Sequence, residues 1–108
     1  VSRGLGDVYK RQDQDMIFKV LGNSAATSVM LQKRMPLMIN KNYEPPTASY
    51  NIFLKDVDII RNFIKDNNVT LPTFEGSAKI YDKAEKTLSK NWDTASVYEV
   101  LKMENVNE

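Results

Sequence analysis

The sequence contains neither cysteine nor histidine among its 108 residues. Without cysteine the chain forms no disulfide and offers neither a thiolate nucleophile nor a cysteine zinc site. Without histidine it lacks the commonest general base and the commonest metal ligand, together with every Ser-His or Cys-His catalytic pair. Its four glycines are scattered, and no two of them form a phosphate-binding loop before a helix. These absences exclude most enzyme mechanisms for this chain acting alone, and we expect no metal site.

An excess of charge and a long apolar run are also missing. Lys and Arg number 15 and Asp and Glu number 14, so the formal net charge is +1. Such a chain has no strong field to attract a nucleic acid or an anionic membrane. No stretch approaches the roughly 18 apolar residues that a membrane span needs. The composition, with 42% hydrophobic residues, is that of one small globular domain without nucleic-acid or membrane partners.

The first twelve residues differ from the remainder of the chain. They hold two of the four glycines and two of the arginines, and they show no helical stripe. They resemble translated adapter sequence, so we expect residues 1–12 to be a non-native or flexible segment. Because Val1 is not a start methionine, we also expect the chain to be a fragment or a processed product.

Hydrophobic spacing predicts an all-α domain of about five helices over residues 13–108. The first helix is expected to end at Gly22 and Asn23. The second is expected to begin after Ser24 as N-cap and to be interrupted at Pro36. A loop follows over residues 42–47, because the two consecutive prolines there cannot continue a helix.

The third helix carries the widest apolar face. Its apolar stripe, at helical spacing, consists of Phe53, Val57, Ile60 and Ile64, widened by Ile52, Ile59 and Phe63. This face spans nearly half of the helix circumference, so we expect part of it to be buried against another subunit or domain.

Three positions mark the ends of the later helices. Asn67 and Asn68 are expected to end the third helix, and Pro72 suits the first turn of the fourth. Asp93 or Thr94 is expected to cap a last helix, in which Val97, Val100 and Leu101 face inward.

Lys55 and Asp56 are the candidate functional residues of the third helix. At about 100° per residue, Asp56 falls inside the apolar arc and Lys55 just beyond its edge. A carboxylate in an apolar face is costly unless it is hydrogen-bonded or paired. Asp56 therefore either lies in the first turn, where it accepts free backbone N–H groups, or faces a cleft with Lys55 and meets a ligand.

The run IFLKDVDII, residues 52–60, resembles the Lys-Asp-Leu helix of the β-hydroxyacid dehydrogenases, which include 3-hydroxyisobutyrate dehydrogenase. Further stretches resemble the same family in the same order: residues 22–28, Pro36 with residues 43–45, residues 69–72, Ala78 with Tyr81 and Ala84, and residues 92–97. The resemblance covers residues 13–105.

This resemblance implies the helical C-terminal domain of a 6-phosphogluconate dehydrogenase-like enzyme, truncated at its N-terminus. In that family a Rossmann domain binds NAD or NADP, and a catalytic lysine lies on a long helix between the domains. Both would lie upstream, so no catalytic residue is expected here. Lys55 matches a different family lysine, which contacts the cofactor. Asp56 is expected to support it by fixing the helix start and the direction of the lysine.

The function implied is a fragment of an NAD(P)-dependent oxidoreductase that acts on a small 3-hydroxy acid. The fragment is expected to contribute cofactor-contacting and oligomerisation surfaces and to be inactive alone. The intact enzyme is expected to be a cytoplasmic homo-oligomer. The alternative is a non-enzymatic helical interaction module that binds a partner through its wide apolar face.

Overall fold

The computed structural model describes residues 13–105 and divides the chain into two compact units, with the boundary between Asn42 and Tyr43. The first unit holds helix α1, over residues 13–22, and helix α2, Val29–Asn40. The second unit holds α3, α4, a short 3₁₀ helix and α5, which span Tyr50–Asp66, Pro72–Thr87, Thr94–Ser96 and Val97–Glu104. The predicted all-α class with five helices is confirmed. None of the described helices is both long and apolar enough to cross a membrane.

The start of α2 differs from the prediction. Ser28, not Ser24, is the N-cap, and its Oγ accepts the Leu31 N–H at 2.9 Å. Ser24 Oγ instead donates to the Leu21 carbonyl at 2.8 Å and accepts from the Ala26 N–H at 3.1 Å. The prediction was wrong because this serine closes the turn after α1, a local use of the hydroxyl that competes with helix capping.

Pro36 lies inside α2 and does not interrupt it, contrary to the prediction. A proline removes its own backbone hydrogen bond, but the turn that follows Pro36 is closed in other ways. Asn40 Nδ2 donates to the Pro36 carbonyl at 2.9 Å. Lys41 adopts a left-handed conformation with φ of 50°, and the Asn42 N–H donates to the Leu37 carbonyl at 3.0 Å. These contacts keep the last turn helical as far as Asn40.

The end of α3 and the start of α4 agree with the predictions. Ser49 caps α3, and its Oγ accepts the Ile52 N–H at 3.4 Å. The helix ends at Asp66, and Asn68 then turns the chain with φ of 54°. Pro72 is the first residue of α4, where the backbone N–H that proline lacks has no intrahelical partner.

The core of the second unit forms where α4 packs against both α3 and α5. Its buried residues are Tyr50, Ala84, Val97 and Val100, surrounded by the half-buried Leu54, Ile80, Tyr81 and Leu88. Val97 and Val100 face inward as predicted, but Leu101 is 42% exposed. That part of the prediction was wrong because Leu101 lies one residue, about 100°, around the helix from the fully buried Val100.

The apolar arc of α3 divides into a covered and an exposed half. Val57 is buried, while Ile52 and Phe63 are each 65% exposed and Ile59 is 59% exposed. The exposed half is the apolar surplus that the sequence predicts for this helix.

Candidate functional site

Lys55 lies on the exposed flank of α3 and lines an open cavity of about 670 Å³ between α3 and α4. The polar residues that share this cavity are Asn51, Asp58 and Asn62 from α3 and Asp82 and Glu85 from α4. Because Asn51, Lys55, Asp58 and Asn62 recur at spacings of three or four residues, they occupy one face of the helix. The structure therefore places the predicted lysine among hydrogen-bonding side chains.

The charges around this cavity are unequal. Among the described residues that line it, Lys55 is the one cation, and Asp58, Asp82 and Glu85 supply three carboxylates. Within residues 13–105, no carboxylate forms an ion pair with Lys55. A strongly anionic group would meet repulsion from the three carboxylates, whereas a neutral polar group would meet donors and acceptors of both kinds.

Arg61 follows Lys55 by six residues on α3 and contacts two of those carboxylates, Asp58 and Asp82. Its Nη2 donates to Asp82 Oδ2 at 2.8 Å and to Glu75 Oε1 at 3.0 Å. Its Nη1 lies 3.8 Å from Asp58 Oδ1. The hydrogen bonds from Arg61 to Asp82 and Glu75 raise the pKa of Arg61 above its ordinary value. The guanidinium thus bridges α3 and α4 beside the cavity.

Asp56 lies within the apolar arc as predicted, but neither in the first turn of α3 nor at the cavity of Lys55. It is the seventh residue of α3, past the first turn, and the helix start is capped by Ser49. The predicted part in fixing the helix start is wrong for that reason. Asp56 is exposed in the middle of the outward apolar half, between Ile52 and Ile59, so its carboxylate remains in water. It does not line the cavity of Lys55.

Asp93 anchors a second polar cluster, which closes the second unit. It is 1% exposed, and its Oδ2 accepts the Thr47 N–H at 2.8 Å, the Thr47 hydroxyl at 2.7 Å and the Ala48 N–H at 3.0 Å. Its Oδ1 accepts the Ala95 N–H at 2.8 Å, so Asp93 is a helix cap as predicted, but it caps the short 3₁₀ helix and not α5, whose N-cap is Ser96. Burial acts to raise the pKa of Asp93, but these hydrogen bonds outweigh it and hold the pKa below its usual value.

Two tyrosines extend this cluster. Tyr43 donates its hydroxyl to Glu99 Oε2 at 2.5 Å, and the hydroxyls of Tyr50 and Ser96 share a hydrogen bond at 2.7 Å. Burial, and then the hydrogen bond to Glu99, raise the pKa of Tyr43 well above its ordinary value. We call the contacts of residues 43–50 with residues 92–99 the clasp. It fixes the start of α3, five residues before Lys55.

The sequence indicated only one side of the clasp. Asp93 was recognisable as a helix cap, since aspartate accepts backbone N–H groups at such positions. Thr47 and Glu99 lie about fifty residues from their partners and show no pattern that pairs them. Trp92 also belongs to the clasp, with its Nε1 donating to Glu44 Oε1 at 3.1 Å.

Comparisons with known proteins bear on this arrangement. A family model described as NAD-binding of NADP-dependent 3-hydroxyisobutyrate dehydrogenase matches residues 12–101. Comparison with curated proteins gives no match. Among solved structures, the fold is similar to the crystal structure of 3-hydroxyisobutyrate dehydrogenase from Salmonella typhimurium, with a TM-score of 0.75 and 22% sequence identity. The match covers 81% of this chain and 30% of that chain, so the likeness concerns the fold of the matched helices.

Proposed function

Because the chain belongs to the family described as NAD-binding of NADP-dependent 3-hydroxyisobutyrate dehydrogenase, we propose that it is the helical part of a longer NAD(P)-dependent oxidoreductase. The substrate proposed is a small 3-hydroxy acid. The observation that carries the proposal is the family match over residues 12–101. The absence of histidine and cysteine is consistent with a part that holds and orients ligands while the reacting groups lie in the rest of the enzyme.

Within this enzyme, Lys55 is the residue proposed to contact the dinucleotide. When bound, NAD(P) exchanges a hydride with the carbon that carries the substrate hydroxyl. The three carboxylates of the cavity disfavour the pyrophosphate, while the ammonium and the two asparagine amides can bond a carboxamide or ribose hydroxyls. The residues present therefore fit the nicotinamide and its ribose, which Lys55 would orient by a charge-assisted hydrogen bond. Asp56 is proposed to assist only indirectly, through the helix that both residues share.

Titration calorimetry of the 108-residue chain with NAD and with NADP tests whether this part of the enzyme binds the dinucleotide by itself. We expect no tight binding and no turnover, because a dinucleotide needs the phosphate-binding turn of a Rossmann domain. A micromolar dissociation constant for either cofactor would contradict the proposal.

Kinetics of the longer enzyme test Lys55 itself. Lys55→Ala is expected to raise the KM for the cofactor about tenfold to a hundredfold, since a hydrogen bond to a charged group contributes about 1.5–3 kcal/mol. Lys65→Ala, which removes an exposed lysine from the last turn of the same helix, is the matched control and should leave the KM unchanged. If both variants behave like the wild type, Lys55 does not contact the cofactor.

The exposed half of α3 supports a further part of the proposal, that the enzyme associates with a second copy of itself. Apolar side chains as exposed as Ile52, Ile59 and Phe63 are costly when they cluster on one helix face in water. Sedimentation of the longer enzyme should show a smaller assembly for Phe63→Lys, which lies outside the cavity of Lys55, and an unchanged one for Asn67→Lys, just after the helix. An unchanged assembly in both variants would show that the exposed half of α3 lies outside the subunit interface.

A further inference from the structure

We propose that Arg61 is a positioning residue, which keeps the Lys55 ammonium free of ion pairs by holding the neighbouring carboxylates. The inference deepens the proposed function and rests on it for its purpose, since an ammonium that is already paired cannot bond a ligand without first losing its partner. The arrangement of charges along the cavity carries the argument.

Asp58 lies midway between the two cations on α3. Lys55 precedes it by three residues and Arg61 follows it by three, and residues at this spacing are neighbours on a helix surface. Both cations therefore compete for the same carboxylate. In the structure Asp58 lies 3.8 Å from Arg61 Nη1, and no ion pair joins it to Lys55 in the described chain.

Asp82 is held more firmly by the same guanidinium. It lines the cavity opposite Lys55, and its Oδ2 accepts from Arg61 Nη2 at 2.8 Å. The planar fork of arginine bonds several carboxylates at once, which a lysine ammonium does less well at fixed geometry. Arg61 uses Nη1 toward Asp58 and Nη2 toward Asp82 and Glu75, so one side chain occupies two of the three carboxylates that share the cavity with Lys55.

Removal of Arg61 should release both carboxylates toward Lys55. These side chains are partly exposed, with 72% exposure for Asp58 and 37% for Asp82, so water screens the pairs. The new pairing of Lys55 should then have the strength of an exposed ion pair, which corresponds to about a twofold to fivefold population shift.

The rate at which an amine-acetylating reagent labels Lys55 reports this pairing without any cofactor. We expect Arg61→Gln to slow the labelling of Lys55 about twofold to fivefold, as measured by mass spectrometry of the intact 108-residue chain. Lys65, which is exposed on the same helix, is the internal standard for reagent strength and reaction time in the same sample.

Two further variants separate pairing from a general change in charge. Asp58→Asn combined with Asp82→Asn in the Arg61→Gln background should restore the labelling rate. Glu85→Gln in the same background is the control. It removes one negative charge from the cavity, as Asp82→Asn does, but this carboxylate is not bound by Arg61. The variant should therefore not restore the labelling rate. Unchanged labelling in Arg61→Gln, or slow labelling that persists in the triple variant, would overturn the proposal.

The cofactor role of Lys55 is tested separately. In the longer enzyme Arg61→Gln should raise the cofactor KM by about the same factor as it slows labelling, with kcat unchanged. Slower labelling together with an unchanged KM would confirm that Arg61 frees Lys55 while contradicting the cofactor contact. The two proposals can therefore fail independently.

Discussion

The two units of the chain are both built from helices, yet their contacts differ in reach. Among residues 13–42 no side chain is buried, and a hydrogen bond such as that from Gln32 to Gly22 spans ten residues. Among residues 43–105 the hydrogen bond from Tyr43 to Glu99 spans 56 residues, and the core lies between α3, α4 and α5. Helix formation alone therefore leaves apolar side chains exposed, and burial accompanies the long-range contacts of the clasp.

Among the variants considered, removal of the Asp93 carboxylate should weaken the long-range contacts of the second unit most. Asp93→Asn places an amide where Oδ2 now accepts three hydrogen bonds, so some buried donors lose their acceptor. We expect a loss of about 3 kcal/mol in the free energy of unfolding, measured with urea. Asp66→Asn, at the exposed end of α3, should change it by less than about 0.5 kcal/mol. Equal effects of the two variants would show that the clasp does not stabilise the second unit.

The same carboxylate predicts a dependence on acid. Hydrogen bonds hold the pKa of Asp93 below its value in the unfolded chain, so the folded state prefers the ionised form. This stabilisation is fully present above the unfolded pKa of about 4 and is lost as the pH falls through the lower folded pKa. The difference in unfolding free energy between the wild type and Asp93→Asn should therefore shrink on acidification to about pH 3. A constant difference would contradict the assigned ionisation.

A pair of valine variants sharpens the contrast between the units. Val100 is fully buried in the second unit, and Val29 in the first unit is 69% exposed. Val100→Ala should cost about 2 kcal/mol, because it leaves a cavity in the core. Val29→Ala should cost less than about 0.5 kcal/mol, since alanine is the better helix former and no burial is lost. Hydrogen exchange would show which unit each variant loosens, and similar costs would refute the contrast.

Tyr43→Phe tests the outer part of the clasp. Loss of the hydrogen bond to Glu99 should cost about 1 kcal/mol near neutral pH, as measured by urea unfolding. Burial and Glu99 raise the pKa of Tyr43 in the folded state, so its contribution is present below the unfolded pKa of about 10 and is lost as the pH rises beyond it. The wild type should therefore lose stability above about pH 10 more steeply than Tyr43→Phe. Parallel curves for the two proteins would exclude this role.

The smallest expected effect comes from a pair of glycines. An added Cβ at Gly76, inside α4, meets nothing within 4 Å. Gly76→Ala should therefore stabilise the second unit by about 0.5–1 kcal/mol through the lower conformational entropy of the unfolded chain. At Gly22, the last residue of α1, the Cβ would meet the Phe18 ring at 3.7 Å, an ordinary contact. Because a helix end gains less from alanine, thermal unfolding should show the smaller shift for Gly22→Ala, and the reverse order would contradict this reasoning.

Hydrophobic period and cap chemistry were sufficient to predict much of the fold. The stripe of α3, the start of α4 at Pro72 and the cap at Asp93 follow from patterns within a few residues. The errors arose where a side chain had more than one local use or where context decided, as with the hydroxyl of Ser24 and the continuation of α2 through Pro36. The spacing of apolar residues along the sequence predicts neither the hydrogen bonds of Ser24 nor the continuation of α2 through Pro36.

The candidate site was predictable in part. Family resemblance indicated Lys55, and the helical period placed it just beyond the edge of the apolar arc. The carboxylates of Asp82 and Glu85 come to the same cavity only because α4 packs back against α3. The bridging position of Arg61 depends on the same packing. Spacing along one helix contains no information about the charges that a second helix brings.

The clasp brings the two ends of the second unit together, since residues 43–50 contact residues 92–99. The helices between these two segments connect them along the chain. The turn between α3 and α4 is exposed throughout residues 67–71. A peptide bond cut in that turn would leave two pieces that still share the core and the buried carboxylate of Asp93. The second unit should therefore tolerate cleavage in that turn, and its two pieces should reassemble, because the clasp and the core still hold them together.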